Sequence, residues 1–292
     1  MSSIDKTFVV TGASTGLGLA IAVQAAKAGF RTFATMRNPA KADKLNAALS
    51  DAGVSADIVQ LDVQDDASVE NAIAQIIEKT GKIDVLVNNA GSGFVRNIEQ
   101  TDIKTIQDVM DVNFTGVVRT TRAALPHMRA ARAGHVINIS SVGGLVGQPF
   151  NEIYCAAKFA VEGFTESLAT YVGSTFGLHF TTVQPGGIRS EFADRALKQV
   201  MDTGGMLDDE YLPVLQAYVS GAQSRAEEAG LYQTVDEVAE VVLNCALSDT
   251  PPIRLRTSDW GEKFCALKTQ ADPDGHLQNQ AVINRFLTTP DA

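Results

Sequence analysis

Short runs of β-branched and apolar residues alternate along the first two thirds of the chain with longer stretches of helical periodicity. The runs fall at 7–11, 32–36, 58–61, 85–88, 135–140 and 180–184. They are continuously apolar rather than alternating, the pattern of strands covered on both faces. The stretches between them lie near 17–28, 40–51, 67–79, 102–131 and 154–176. Strand–helix alternation of this kind predicts a doubly wound α/β domain, a parallel sheet with helices on both sides and right-handed crossovers.

After residue 184 the pattern changes. Pro185-Gly186-Gly187 ends the sixth run. The segment 188–228 is polar, carries Gly204-Gly205, and intersperses Met201, Met206, Leu207, Leu212 and Leu215. It reads as a mobile insertion whose apolar residues serve either as a substrate lid or as plain packing. Thr234, with Glu237 three residues on, has the capping-box pattern and predicts a helix over 234–247. Pro251-Pro252 stops it, and 253–257 is a candidate last strand. The expected organisation is one domain over 1–257 followed by a weakly patterned C-terminal extension, 258–292.

Composition narrows the function classes. The chain has 292 residues, 45% hydrophobic and 20% charged, as in a soluble globular protein. Its net charge of −10 disfavours nucleic acid and anionic membrane surfaces as partners, although solubility alone explains such a charge. The three cysteines, Cys155, Cys245 and Cys265, are odd in number and widely spaced, which fits a reducing compartment. With no signal-peptide pattern and no bilayer-length apolar stretch, a cytoplasmic protein is expected. The four histidines, His127, His135, His179 and His276, do not fall at ligand spacing, so no protein-bound metal is expected.

The first candidate chemistry lies at Thr11-Gly12-Ala13-Ser14-Thr15-Gly16-Leu17-Gly18. A glycine loop after a first strand and before a first helix lets backbone approach a pyrophosphate at the helix N-terminus. The same residues match the Gly-x-Ser-x-Gly nucleophile elbow, but an elbow lies deep in its chain and has a partner histidine downstream. Dinucleotide binding is the better reading. The second strand ends at Met36-Arg37, where a carboxylate would recognise an adenosine ribose hydroxyl. Arg37 would pair with a 2′-phosphate, so NADP(H) is expected over NAD(H); a merely solvated loop charge is the alternative.

The second constellation is Tyr154-x-x-x-Lys158. Residues i and i+4 share a helix face, and a neighbouring ammonium should lower a phenol's pKa. The phenol then becomes a proton donor to a developing alkoxide and a base in reverse. Ser141 precedes it by thirteen residues, just past the fifth strand, where ligands bind in open α/β sheets.

These features, with Leu61-Asp62-Val63, Asn88-Asn89-Ala90-Gly91, Asn113 and Pro185-Gly186, resemble the short-chain dehydrogenase/reductase family over about residues 5–190, and loosely to 257. The stretch from Ser141 to Lys158 looks most like the hydroxysteroid and retinol dehydrogenase branch. The resemblance implies a Rossmann sheet of seven strands and reversible hydride transfer between NADP(H) and a carbonyl/alcohol pair. It implies Tyr154 as general acid/base, Ser141 as the group orienting the substrate oxygen (with Ser140 as the alternative register), and Lys158 on the nicotinamide ribose. Asn113 would hold a water linking Lys158 to solvent. Gly12, Ser14, Thr15, Gly16, Leu17, Gly18, Arg37, Asp62, Val63, Asn89, Ala90, Gly91, Pro185, Gly186 and Ile188 would line the cofactor, together with Tyr154 and Lys158. Ser190 stands where the family commonly has threonine. Plain structural readings stay open for Asp62 as a helix cap and for Asn88-Asn89 as a turn. A catalytically silent NADP(H)-binding regulator, or a lyase or epimerase of the same superfamily, also remains open. The apolar residues of 188–228 suggest a bulky hydrophobic ketone or alcohol, and family analogy suggests a homodimer or homotetramer.

Overall fold

The computed structural model describes residues 5–192, 196, 198, 201, 205, 207–226 and 232–287. Seven parallel strands form the central sheet: β1 (Thr7–Val10), β2 (Arg31–Met36), β3 (Asp57–Gln60), β4 (Val85–Asn88), β5 (His135–Ile139), β6 (His179–Gln184) and, late in the chain, β9 (Arg254–Arg256). Their order across the sheet is β3-β2-β1-β4-β5-β6-β9. Helices α1 (Gly16–Lys27), α2 (Asp43–Asp51), α3 (Asp66–Thr80), α4 (Ile103–Met110), α5 (Gly116–Ala131) and α6 (Glu152–Leu168) connect them. The strand order reverses direction at β1, which opens a crevice between the carboxyl ends of β1 and β4.

The two faces of the sheet build two cores. Phe8 and Val10 join Ala34, Val85, Val87 and Ile137 beneath α1 and α2. Val9 joins Phe33, Leu86, Val136 and Phe180 on the opposite face. Alternate residues of one strand point to opposite faces, so both registers must be apolar, and this is why the runs read as continuously hydrophobic.

The chain departs from the sequence expectation in three places. The predicted 102–131 helix is interrupted by a π turn, Asp111–Thr115, between α4 and α5. A second π turn, Ala169–Gly173, follows α6. The segment 188–228 contains the helix α7 (Leu212–Ala226), which starts with Pro213 in its first turn, a position where the missing N–H costs nothing. The same region supplies β7 (Gly187–Arg189), paired in parallel with β8 (Tyr232–Thr234). Leu212 and Leu215 are half-buried and Met201 and Leu207 exposed, while Met206 lies outside the described residues. The capping box at Thr234 and Glu237 forms and opens α8 (Val235–Leu247).

The C-terminal extension is helical: α9 (Asp259–Thr269), capped by the Ser258 hydroxyl, and α10 (His276–Phe286). From α9, Cys265 and the partly buried Trp260 pack on Val142, Leu145 and Val146. The extension therefore braces the turn that follows Ser141.

At the amino edge of the sheet, His135 is buried with its Nε2 2.9 Å from Thr181 Oγ1. The Thr181 hydroxyl donates to Pro252 O at 2.6 Å, so His135 is the donor in that pair. Burial, aided by the nearby His179, pushes the His135 imidazole down to about 3. The unfolded chain protonates near 6.5 and the folded chain does not, so stability is unaffected above pH 6.5 and declines as pH falls toward 3. This residue alone should cost about 2 kcal/mol between pH 8 and pH 5. Urea unfolding of His135→Gln is expected to lack that part of the acid slope; an identical slope in both proteins would refute the assignment.

Candidate active site

The loop after β1 is shaped by its glycines. Gly12 has φ +70, and a Cβ there would lie 2.9 Å from Ala90 Cα, so the loop closes directly onto the backbone after β4. A Cβ at Gly18 would collide with Asn89 Nδ2 and would stand 2.5 Å from Gly12 O. Thr11 completes the junction. Its Oγ1 accepts from the N–H groups of Asn89 and Ala90, both at 3.0 Å, and Asn89 Nδ2 donates to Thr11 O at 2.9 Å. Asn89 thus acts as a clip between the β1 and β4 loops as well as a wall of the crevice. Ser14, Thr15, Gly16 and Leu17 follow at the start of α1, half-buried along the crevice. The first N–H groups of a helix and its dipole suit an anionic pyrophosphate. A Cβ on Gly16 would lie 4.0 Å from Ser190 Cβ, so the segment after β7 reaches over this loop.

The other predicted cofactor positions also follow the carboxyl ends of strands. Met36 is buried, and the next residue, Arg37, is exposed with no carboxylate in salt-bridge range among the described residues. Asp62 accepts from Gln64 N–H at 3.1 Å, whereas the cap of α3 is Asp65, which accepts from Ser68 N–H at 2.9 Å. Asp62 is therefore not the helix cap. Val63 packs against Gly116 at the start of α5. Pro185 O accepts from Val142 N–H at 2.9 Å, tying the end of β6 to the turn after β5. Gly186 is half-buried there, and Ile188 is held in the small β7–β8 sheet opposite Gln233.

Ser141 caps the short 3-10 turn Val142–Gly144, its Oγ accepting from Gly143 N–H at 2.9 Å. That acceptance leaves the hydroxyl proton free to donate outward. The Ser141 hydroxyl acts on the Tyr154 phenol and favours the ionised form. Ser140 points the other way and faces the carboxylate of Glu162. The alternation of side chains along an extended backbone thus turns Ser141 and Ser140 to different neighbours.

Tyr154 and Lys158 share one face of α6, with Lys158 Nζ 5.7 Å from the centre of the Tyr154 ring. Lys158 is buried and donates to Ile139 O at 2.9 Å. The expectation that its ammonium lowers the Tyr154 phenol is not met. Burial dominates and pushes the phenol up to about 12, with the Ser141 hydroxyl pulling back and Cys155 adding slightly. Lys158 itself is pushed down to about 8 by burial, against the opposing influence of Glu162. The phenol therefore keeps its proton at neutral pH and stands as an acid.

Asn113 is fully buried in the π turn. Its Oδ1 accepts from Ser92 N–H at 3.1 Å, and its Nδ2 donates to Ser92 O and to Val109 O, both at 3.0 Å. Gly91 separates it from Lys158, since a Cβ there would lie 2.8 Å from Asn113 Oδ1 and 3.8 Å from Lys158 Nζ. A π turn projects one side chain out of helical phase, a device common at functional sites.

Three further residues escaped the sequence reading. Thr11 carried no signal beyond its place before the glycines. Phe192 meets the Tyr154 ring edge-on at 6.0 Å, from a short helical stretch in a segment without apolar periodicity. Glu162 was detectable in principle, as an acid one turn past Lys158 on the buried face of α6.

Ser141, Tyr154, Lys158 and Asn113 thus lie beside a glycine loop at the carboxyl edge of a doubly wound sheet, a Rossmann architecture. The family model described as short chain dehydrogenase matches residues 6–200, and the chain belongs to that family. Within it, the chain falls in the hydroxysteroid/retinol dehydrogenase-like branch. It is 38% identical to retinol dehydrogenase 8 of Bos taurus over 95% of this chain and 89% of the relative. It is 35% identical to 17-beta-hydroxysteroid dehydrogenase type 1 of Mus musculus over 93% of this chain and 79% of the relative. A short-chain dehydrogenase of Streptomyces avermitilis has a similar structure, with TM-score 0.76 and 28% identity over 99% of this chain and all of that one (100%). A single-substitution variant of actinorhodin polyketide ketoreductase, solved with NADPH, has TM-score 0.70 and 29% identity over 87% of this chain and 97% of its own. Members of the family bind a nicotinamide cofactor and act on CH–OH groups or the matching carbonyls. No helix among the described residues is long and apolar enough to cross a membrane.

Proposed function

We propose that the chain is an NADP(H)-dependent oxidoreductase that interconverts a bulky, mainly hydrophobic ketone with its secondary alcohol. The observation that carries this reading is the convergence of the Ser141 hydroxyl, the Tyr154 phenol and the Lys158 ammonium beside the glycine loop. The loop residues Gly12, Ser14, Thr15, Gly16, Leu17 and Gly18 would hold the pyrophosphate. Asp62 and Val63 would meet the adenine, and Asn89, Ala90, Gly91, Pro185, Gly186 and Ile188 would line the remaining length. The backbone approaches at Gly12 and Gly18 fit such a group, because any side chain there would fill the cradle.

When bound, the nicotinamide supplies the hydride for the carbonyl carbon or accepts it in reverse. Tyr154 donates its Oη proton to the carbonyl oxygen as negative charge develops there. Ser141, oriented by Gly143, donates a second hydrogen bond to the same oxygen. Preorganised donors of this kind are worth several kcal/mol in the transition state. Lys158 would hold the ribose hydroxyls, and Asn113 would keep a water route to Lys158. Arg37 at the end of β2 favours a 2′-phosphate, and the NADPH of the actinorhodin ketoreductase agrees with that choice.

Phe192 against Tyr154, and Phe150 against Tyr218 at 5.7 Å, give the site an aromatic mouth suited to an apolar substrate. Exposed Ile103, Phe159 and Tyr171 along the long helices fit a homodimer or homotetramer. The test is a panel of ketones with NADPH and with NADH, followed by loss of nicotinamide absorbance. Reduction of bulky ketones with NADPH is expected. Turnover of small polar sugars alone would overturn the substrate class, and no turnover of any carbonyl would mark a cofactor-binding regulator.

A further inference from the structure

Glu162 is the most deeply placed acid near the site. It is 5% exposed, as is Lys158 one helical turn before it. Burying a carboxylate is costly unless its charge is used and its oxygens are satisfied. Glu162 Oε2 accepts from Thr182 Oγ1 at 2.7 Å and from Gln184 Nε2 at 2.8 Å. Its Oε1 faces Ser140 across Gly144, where a Cβ would stand 2.6 Å from Ser140 Oγ and 3.0 Å from Glu162 Oε1. Glycine at 144 is therefore what lets the Ser141 turn lie directly over the carboxylate.

Burial pushes the Glu162 carboxyl up, donation from Thr182 and Gln184 opposes this and favours the charged form, and the orientation of Gln184 is itself fixed. Its Oε1 lies 3.5 Å from an Arg256 nitrogen, so its amide N–H groups must face Glu162, which has to accept. Arg256 is itself buried, and is held from the C-terminal extension by Glu262 at 2.9 Å and by Pro273 O at 2.7 Å. A neutral glutamine at 162 could accept the same two hydrogen bonds through its oxygen. What only the carboxylate adds is negative charge.

We propose that Glu162 is a positioning residue of the active site, whose buried carboxylate keeps the Lys158 ammonium charged and aimed at Ile139 O, beneath Tyr154. The two groups are not in salt-bridge contact among the described residues, so the influence is exerted through the low-dielectric interior. Other groups also face Glu162. Glu166 lies further along α6 and pairs with Arg254 at 3.8 Å. Ser140, Thr182 and Gln184 face it from β5 and β6, Arg256 acts on it through Gln184, and Cys265 approaches from α9. Lys158 is the one cation of α6, whose residues are all described. Burial pulls Lys158 toward the neutral form and Glu162 opposes this, so removing the negative charge must make Lys158 lose its proton at lower pH.

This inference rests on the proposed role of Lys158 but can be tested apart from it. Full-length protein with 13C-labelled lysine would be titrated by NMR, the Lys158 13Cε resonance being identified by its loss in Lys158→Met. The wild-type midpoint is expected near pH 8. In Glu162→Gln it should fall by about one pH unit, a tenfold weaker hold on the proton. The alkaline limb of kcat for ketone reduction should move down with it. Should Glu162→Gln not fold, Glu162→Met removes the same negative charge and should lower the midpoint alike. An unmoved midpoint overturns the proposal, whatever happens to kcat. A lowered midpoint in a protein that reduces no ketone would uphold the coupling and defeat the proposed reaction instead.

Discussion

Tyr154→Phe is expected to abolish most ketone reduction, by about 10²- to 10⁴-fold in kcat, the usual contribution of a positioned proton donor. Affinity for NADPH, followed by fluorescence, should stay near the wild-type value. The substitution removes one oxygen and leaves the ring against Phe192, so the packing of the mouth survives. The phenol stands at about 12, so it carries its proton throughout the neutral range and is lost as an acid, not as a base. Ser141 cannot replace it. Its hydroxyl is a far weaker acid, and its Oγ is anchored by Gly143 N–H. A Tyr154→Phe protein with undiminished kcat would show that another group protonates the substrate, and the proposed reaction would have to be rebuilt.

The same tyrosine marks where sequence reasoning stops. Spacing alone placed Tyr154 and Lys158 on one helix face, because helical geometry is local. It could not say which of two effects on the phenol wins, because burial depends on everything packed around it. The ammonium was expected to pull the phenol down, and burial pushes it up. The sheet was legible for a related reason: strands covered on both faces must be apolar at every position, and six of the seven showed it directly. The π turn at Asn113 was not legible. An extra residue in a helix leaves no mark on composition, and only the backbone bonding of Asp111–Thr115 reveals it. The helices of the extension were equally hidden, since α9 buries little beyond Gly261, Cys265 and Thr269 and so lacks a strong apolar stripe. Ser140 and Ser141 were indistinguishable until the strand end fixed which one faces Tyr154 and which faces Glu162.

Arg37→Asp is expected to move cofactor preference toward NADH by about 100-fold in the ratio of kcat/KM values, from loss of a charge-assisted bond plus new repulsion. The location makes this a clean test. Arg37 is exposed at the end of β2, and no carboxylate among the described residues is in range to hold it, so its removal disturbs no native ion pair. Surface substitutions of this kind usually shift stability by less than about 0.5 kcal/mol. The preceding Met36 is buried in the core and cannot reach a ribose hydroxyl, so in the native protein nothing at this strand end rewards the unphosphorylated cofactor. The aspartate would both repel a 2′-phosphate and accept a hydrogen bond from the free hydroxyl. Because the native contact would be an exposed ion pair, raising the salt concentration should weaken the NADPH advantage of the wild type and leave the variant nearly unaffected. A preference ratio that neither the substitution nor salt changes would place cofactor discrimination elsewhere in the crevice, and the assignment of NADP(H) through Arg37 would fall.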